Sequence, residues 1–353
     1  MATVSRTSLS DRGTPDVVAP ARYDASVNSA WVRRPVTVLG VVVGAVLLTV
    51  LIPVWVVVTI LIDLISLSWR LPTFRLICFA WLWLWLETFG VIGSIALWLT
   101  GQARNRRANY ALQRWWAKRL IVALRVTCGL RIEVEGVDSL TDGPLICFCR
   151  HASLGDALVS AWIFGSLAER FPRYVMKREL LFDPCLDIVG QRIPNYFVSR
   201  GSAAVRQEIS GIRAMAAGLG DRDVAVIFPE GTRTNDEKRA GLVGRLERRS
   251  PVRHEKLKNL ERLLPPRSAG AAALLTEVPE ADVVVMWHVG FDGLDTFAGV
   301  RRRLASAEPS ARVVLETRAR DTVPVGDDFE AWLDDLWLEI DQKVIAADRA
   351  RVG

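Results

Sequence analysis

From Val36 to Ile62 the chain carries no charged side chain, and a second apolar run extends from Leu76 to Leu99. As a helix with a 1.5 Å rise per residue, the first run is roughly 40 Å long, against roughly 30 Å for the hydrocarbon core of a bilayer. So much apolar length must be buried against the rest of the protein or against lipid. Pro53 predicts a kink in the first run, because proline cannot donate the helical hydrogen bond. The turn between the runs holds Arg70, Pro72 and Arg75. Arg33 and Arg34 precede the pair, and Arg104, Arg106 and Arg107 follow it. The excess of positive charge outside the turn predicts a hairpin with both ends cytoplasmic. Glu87 lies near the middle of the second run, where an exposed charge costs about 3 kcal/mol on insertion scales. It is accommodated if it is protonated, if it faces the partner helix, or if the hairpin dips into one leaflet.

Composition agrees with this split. The chain has 353 residues, 50% of them hydrophobic, with a net charge of +6, which suits either nucleic acid or an anionic membrane surface. Its 13 Trp beside the long apolar runs favour the membrane over nucleic acid. The 5 cysteines (Cys78, Cys128, Cys147, Cys149 and Cys185) are odd in number and lack Cys-x-x-Cys spacing, so they indicate neither a disulfide framework nor a zinc site. A cytosol-facing domain is the simplest setting for them. Residues 1–30 are rich in Ser, Arg, Asp, Pro and Ala without periodicity and read as a disordered tail. Residues 31–101 form the hairpin. Within 102–127, the stretch from Arg104 to Leu120 mixes basic residues with Tyr110, Leu112, Trp115 and Trp116. It predicts an amphipathic helix at the headgroup level, or else an ordinary surface helix.

After residue 128 the pattern changes to short apolar runs alternating with helical stretches. Strands are expected near 131–135, 145–149, 173–177, 195–198, 224–228, 283–289 and 312–317. Helices are expected near 153–169, 202–219, 268–278 and 327–348, the last with Phe329, Leu333, Leu336, Ile340 and Val344 on one stripe. This alternation predicts an α/β domain over 128–353, with a mixed, largely parallel sheet flanked by helices. A basic insert at 234–267 reads equally as a solvated loop or as a surface for anionic lipid.

Several expected strands end in chemistry-bearing residues, and the carboxyl ends of strands are where open α/β sheets build their sites. Leu145–Cys149 is followed by Arg150-His151-Ala152-Ser153-Leu154-Gly155-Asp156. On one continuous helix, five residues turn the chain through about 500°, so His151 and Asp156 would not meet. They meet if His151 sits in the turn and Asp156 in the first turn of the next helix, with Ser153 as a candidate N-cap. The carboxylate then holds one ring nitrogen protonated and leaves the other as a base near neutral pH. With no Gly-x-Ser-x-Gly elbow, the base most simply activates a substrate hydroxyl. Val224–Phe228 runs into Pro229-Glu230-Gly231-Thr232-Arg233. Arginine clamps a phosphate with two parallel hydrogen bonds, and Glu230 could accept from a hydroxyl. Arg200, in Phe197-Val198-Ser199-Arg200, and Lys177, in Lys177-Arg178-Glu179-Leu180, bring further cations to strand ends. His254 and His288 read as exposed and structural, respectively.

In order and spacing these blocks resemble the glycerolipid acyltransferases typified by 1-acylglycerol-3-phosphate acyltransferase, over about residues 130–290. His151-x-x-x-x-Asp156 resembles the first block, Arg200 the arginine of the second, and Phe228-Pro229-Glu230-Gly231-Thr232-Arg233 the third. Lys177-x-Glu179-Leu180 resembles the lysine segment between the first two. Pro265-Pro266-Arg267-Ser268-Ala269-Gly270 is similar to a segment of the longer lysophospholipid acyltransferases. Two features depart from the pattern: Arg150 stands where the family usually has Asn, and Val283–Gly290 lacks the usual Pro.

The resemblance implies the glycerolipid acyltransferase fold and an integral membrane enzyme with its catalytic domain facing the cytoplasm. It implies that His151 deprotonates the acceptor hydroxyl and that Asp156 orients it. Glu230 and Gly231 would bind the glycerol moiety, and Arg200 and Arg233 the phosphate. The acceptor would be lysophosphatidic acid or a related lysophospholipid. The donor would be acyl-CoA or acyl carrier protein, with no metal or redox cofactor. Two rival readings are a CoA-independent phospholipid transacylase and a non-catalytic membrane scaffold.

Overall fold

A computed structural model describes residues 30–198 and 205–352. Among them, seven strands form one sheet: β1 (Arg131–Glu135), β2 (Leu145–Cys149), β3 (Phe171–Lys177), β4 (Tyr196–Val198), β5 (Asp223–Ile227), β6 (Asp282–Val289) and β7 (Ser310–Arg318). Their spatial order is β1-β7-β6-β2-β5-β3-β4. The five strands from β6 to β4 run parallel, β7 is antiparallel to β6, and β1 is parallel to β7. The sheet is therefore mixed and largely parallel, as the sequence predicts. The central strands β2 and β5 are buried at every position, as continuous apolar runs require when both faces are covered.

Side chains alternate between two cores. Ile146 and Phe148 of β2 face the layer of α7 (Val205–Ala216), α10 (Ser268–Glu277) and α12 (Asp328–Val352). Leu145, Cys147 and Cys149 face the opposite layer, with Ala117 and Ile121 of α4 (Arg106–Cys128) and Val159 of α5 (Asp156–Trp162). Burial pushes the Cys147 and Cys149 thiols far up, which leaves them inert packing residues.

The insert is not a loop. It contains α8 (Asp236–Arg249) and α9 (Pro251–Leu257). Asn235 caps α8 by accepting from the Lys238 amide, with Asp236 and Glu237 in the first turn and Arg248 and Arg249 in the last. α6 (Pro184–Ile188) and α11 (Phe297–Ser306) complete the domain.

The first apolar run is α1 (Ala30–Val50) and α2 (Ile52–Ile65), interrupted at Leu51; the second is α3 (Pro72–Leu99). Pro53 enforces the break expected from it, and the Trp55 indole N–H satisfies the freed Leu48 carbonyl at 2.7 Å. By length and composition, α1 and α3 are each long and apolar enough to cross a membrane. Large apolar side chains such as Val36, Leu39, Val50, Val54, Leu61 and Ile65 are exposed.

Glu87 settles where α3 belongs. It is fully buried, accepts from the Trp116 indole of α4 at 2.8 Å, and faces the Cys185 amide of α6 at 3.3 Å. It therefore faces the α/β domain and not the partner helix or lipid. Arg33 of α1 makes a buried two-point ion pair with Asp187 of α6, at 2.9 and 3.0 Å, and Arg34 adds to it at 3.3 Å. The domain touches α3 from end to end. Arg301 of α11 reaches Thr73 at 3.0 Å, Arg75 reaches the Thr127 carbonyl at 3.0 Å, and Arg192 reaches the Ser94 carbonyl at 3.0 Å. α4, expected as an amphipathic helix, packs one side on protein and leaves Val122 and Val126 exposed. Trp116 is engaged by Glu87, and Ala117 and Ile121 pack into the sheet core. The expected tail at 1–30 lies outside the described residues, apart from Ala30, which opens α1.

Candidate active site

β2, β5 and β6 are adjacent and parallel, so their carboxyl ends lie along one edge. After Cys149 the chain leaves β2 into a tight loop, and Asp156 is the first residue of α5. This is the arrangement that lets the histidine and the aspartate meet. His151 Nδ1 lies 3.0 Å from Asp156 Oδ2. The same oxygen accepts from the Ala152 and Ser153 amides, each at 2.7 Å. Oδ1 accepts from the Ser153 hydroxyl. Ser153 is not the N-cap, which is Gly155. Its hydroxyl instead braces the loop, accepting from the Gly155 amide at 3.1 Å.

Asp156 is buried, and burial alone would raise its pKa. The neighbouring His288, the His151 contact and the Ser153 hydrogen bond outweigh that and hold it at about 2. An ionised Asp156 fixes the His151 proton on Nδ1 and leaves Nε2 as the basic nitrogen. The imidazole is partly exposed, with its ring 4.7 Å from that of Phe228.

The second block meets the first from β5. Glu230 is fully buried and all its contacts are internal. Oε1 accepts from the His151 amide at 2.7 Å; Oε2 accepts from the Leu264 amide at 3.0 Å and from the Thr234 hydroxyl. The Thr234 amide in turn donates to the His151 carbonyl at 2.8 Å. Both backbone groups of His151 are thus held by the Glu230–Thr234 loop. The structure corrects the expectation that this carboxylate offers itself to the acceptor: it clamps the histidine loop from behind. Burial pushes its pKa up to about 7 despite the three donors.

Gly231 has φ of +68° in a tight turn, its amide donating to the Phe228 carbonyl at 2.9 Å. A Cβ there would lie 3.2 Å from the Arg267 guanidinium, so glycine suits both the backbone and the space. Thr232 and Arg233 follow, half-buried, and the Arg233 side chain makes no hydrogen bond or ion pair among the described residues. Lys177 ends β3, which is parallel to β5 and so shares the same edge. Arg200 lies outside the described residues.

Two groups at this edge, Arg150 and His288, were not read from the sequence as part of the site. Arg150 is almost wholly buried. Its guanidinium pairs with Asp292, donates to the His288 carbonyl at 2.5 Å and to the Arg262 carbonyl at 3.2 Å. It joins the end of β2 to the segments after β6 and before α10. His288 lies beneath the His151 loop. His254 is half-buried, with Nδ1 3.1 Å from the Val243 carbonyl, not exposed as expected. No group of three or more His, Cys, Asp or Glu among the described residues is placed to hold a metal ion.

A base oriented by a carboxylate, with cations along the same strand edge, is equipped to take a proton from an anionic acceptor's hydroxyl. Residues 131–288, which hold every residue just described except Asp292, match the family model described as Acyltransferase. That match covers the stretch holding both the histidine loop and the turn after β5. No curated protein matches the chain. Among solved structures it is similar to the 1-acyl-sn-glycerophosphate (LPA) acyltransferase PlsC from Thermotoga maritima. The identity is 15% and the TM-score 0.46, over 75% of this chain and 95% of that one.

Proposed function

We propose that this acyltransferase moves a fatty acyl group from the thioester of acyl-CoA, or of acyl carrier protein, to a hydroxyl of lysophosphatidic acid or a related lysophospholipid. The observation that carries the reading is the 3.0 Å contact between His151 Nδ1 and the buried Asp156, which leaves Nε2 free. Nε2 takes the proton of the acceptor hydroxyl as its oxygen attacks the thioester carbonyl. An ester forms as the carbon–sulfur bond breaks, and the imidazolium returns the proton to the departing thiolate. Asp156 stabilises the imidazolium throughout.

Arg233 and Lys177, with Arg200 in the adjoining block, are the groups for the acceptor phosphate, since a phosphate suits charge-assisted donors. Glu230 supports the reaction from behind by fixing the backbone of His151, and Gly231 keeps the turn low beside it. The exposed apolar faces of α1 and α2 support attachment to the membrane in which such an acceptor and its product reside. Because the domain follows α3 from Thr73 to Ser94, the hairpin lies along the domain, which favours entry into one leaflet over a crossing of both. The positive charge flanking the hairpin favours a catalytic domain on the cytoplasmic side.

The test is turnover by the purified full chain in vesicles, given lysophosphatidic acid and acyl-CoA. Stoichiometric release of CoA thiol and formation of phosphatidic acid are expected. Product formed equally well without any thioester would overturn the donor assignment. No product with any lysophospholipid and either thioester would overturn the acceptor class.

A further inference from the structure

Between Gly231 and Thr234 the turn after β5 leaves two backbone donors unused. The Gly231 amide donates to the Phe228 carbonyl and the Thr234 amide to the His151 carbonyl. The Thr232 and Arg233 amides between them have no acceptor among the described residues. The used donors on either side hold the turn in place. Gly231 has φ of +68°, and a left-handed residue in a turn can gather successive N–H groups into a concavity that suits an anion.

The segment before α10 covers the same turn with a guanidinium. Pro265 and Pro266 are buried, the Pro266 carbonyl accepts from Arg253 at 2.9 Å, and the Arg267 amide donates to the Pro229 carbonyl at 2.9 Å. Arg267 is thereby pinned to the turn by its backbone. Its Nε, Cζ and Nη1 lie 3.2, 3.2 and 3.3 Å from where a Cβ on Gly231 would stand. Three nearly equal distances place the flat face of the guanidinium against Gly231. Its N–H rim is unused: the side chain is exposed and makes no hydrogen bond or ion pair among the described residues. An acid is at hand, since Glu330 accepts from the neighbouring Ser268 hydroxyl at 2.7 Å, yet Arg267 does not turn to it. Arg239, Arg253, Lys256, Lys258 and Arg262 of the same insert all pair with carboxylates. Arg233 is unpaired as well, and Glu230, the carboxylate of the turn, is buried with both oxygens engaged. Two guanidiniums and two amides therefore stand on one turn whose own acid faces inward.

We propose that Arg267, with Arg233 and the Thr232 and Arg233 amides, forms a phosphate site on the Gly231 turn. A phosphate monoester takes several charge-assisted donors at once, and a guanidinium fork meets two of its oxygens. The site adjoins the reaction because Glu230, next to Gly231, holds the His151 amide at 2.7 Å. It also gives the glycine a second reason, since a Cβ would lift Arg267 off the turn. Both substrates carry phosphate: lysophosphatidic acid in its headgroup and acyl-CoA in its nucleotide.

This rests on the acyl-transfer reading, which turnover by the wild-type enzyme tests separately. The test compares Arg267→Gln with wild type on two pairs of substrates, lysophosphatidic acid against monoacylglycerol and acyl-CoA against acyl-pantetheine. The second member of each pair lacks the phosphate. R267Q is expected to lower kcat/KM for one phosphate-bearing substrate about tenfold relative to its phosphate-free counterpart, through KM. A fall in the first ratio assigns the acceptor's phosphate to the site, and a fall in the second the donor's. Both ratios unchanged would overturn the proposal, because a general structural effect lowers both members of a pair together. A measurement on the wild-type protein in micelles decides the matter even if R267Q does not fold. The Thr232 and Arg233 amide resonances should move with glycerol 3-phosphate or with adenosine 3′,5′-bisphosphate, and no movement with either would contradict the site.

Discussion

Replacing Asp156 with asparagine removes one charge and almost no volume. The amide oxygen can turn toward the three donors that now meet Oδ2, namely His151 Nδ1 and the Ala152 and Ser153 amides. The amide nitrogen then faces the Ser153 hydroxyl, which can rotate to accept. Loop geometry and the His151 tautomer survive, and the counter-ion of the imidazolium does not. With charge centres about 4 Å apart and an effective dielectric near 20, that attraction is worth roughly 4 kcal/mol. Lost only when His151 carries the acceptor's proton, it corresponds to roughly a thousandfold fall in kcat with little change in KM. Stability moves too. A pKa of about 2 against an ordinary 3.8 makes the ionised carboxylate worth about 2 kcal/mol to folding at neutral pH. The assay is thiol release from acyl-CoA at saturating lysophospholipid, with thermal melting followed in parallel. A fall in kcat of less than tenfold in a folded D156N protein would refute the counter-ion role.

Glu230 predicts an unusual pH dependence of stability. Its folded-state pKa is raised to about 7 from an ordinary 4.5, so the folded protein holds this proton more tightly than the unfolded chain. Its contribution is fully present below about pH 4.5 and is lost as pH rises through 7, a change of about 3 kcal/mol. Melting temperature should fall between pH 5 and 7.5. Glu230→Gln should flatten that slope while lowering stability overall, since an amide nitrogen must face either the His151 or the Leu264 amide; an unchanged slope in E230Q would count against the assignment. At the hairpin, Asp187→Ala leaves Arg33 buried without its counter-ion and should cost roughly 3–5 kcal/mol, read as a lower melting temperature and easier proteolysis between the hairpin and α6.

Much of the architecture was legible because a buried strand must be apolar and a turn must break the run. The strand ends at Cys149, Lys177 and Ile227 fall within a residue of where the apolar runs stop. The meeting of His151 with Asp156 was legible for the same local reason, since five residues across a turn leave few geometries. What escaped is set by partners far away in sequence. Nothing near Glu230 says that its oxygens will be taken by amides 79 residues before and 34 after it. Arg150 finds Asp292 across 142 residues, and Glu87 finds Cys185 across 98. His288 looked structural because its own neighbours are apolar, and only the pairing of β6 with β2 brings it to Asp156. The signals for α8 were present in Asn235, the acidic first turn and the basic last turn. Its sparse apolar residues (Leu242, Val243 and Leu246) hid them behind a loop-like composition.

The measurement that bears most directly on the account is the single-turnover rate of acyl transfer by His151→Ala in vesicles, with lysophosphatidic acid and acyl-CoA both bound. Nothing else along the strand edge is placed as a base among the described residues. Transfer should therefore fall by at least four orders of magnitude, while binding of both substrates and the melting temperature stay near wild type. Phosphatidic acid formed at a rate within tenfold of wild type would contradict the assignment of the base.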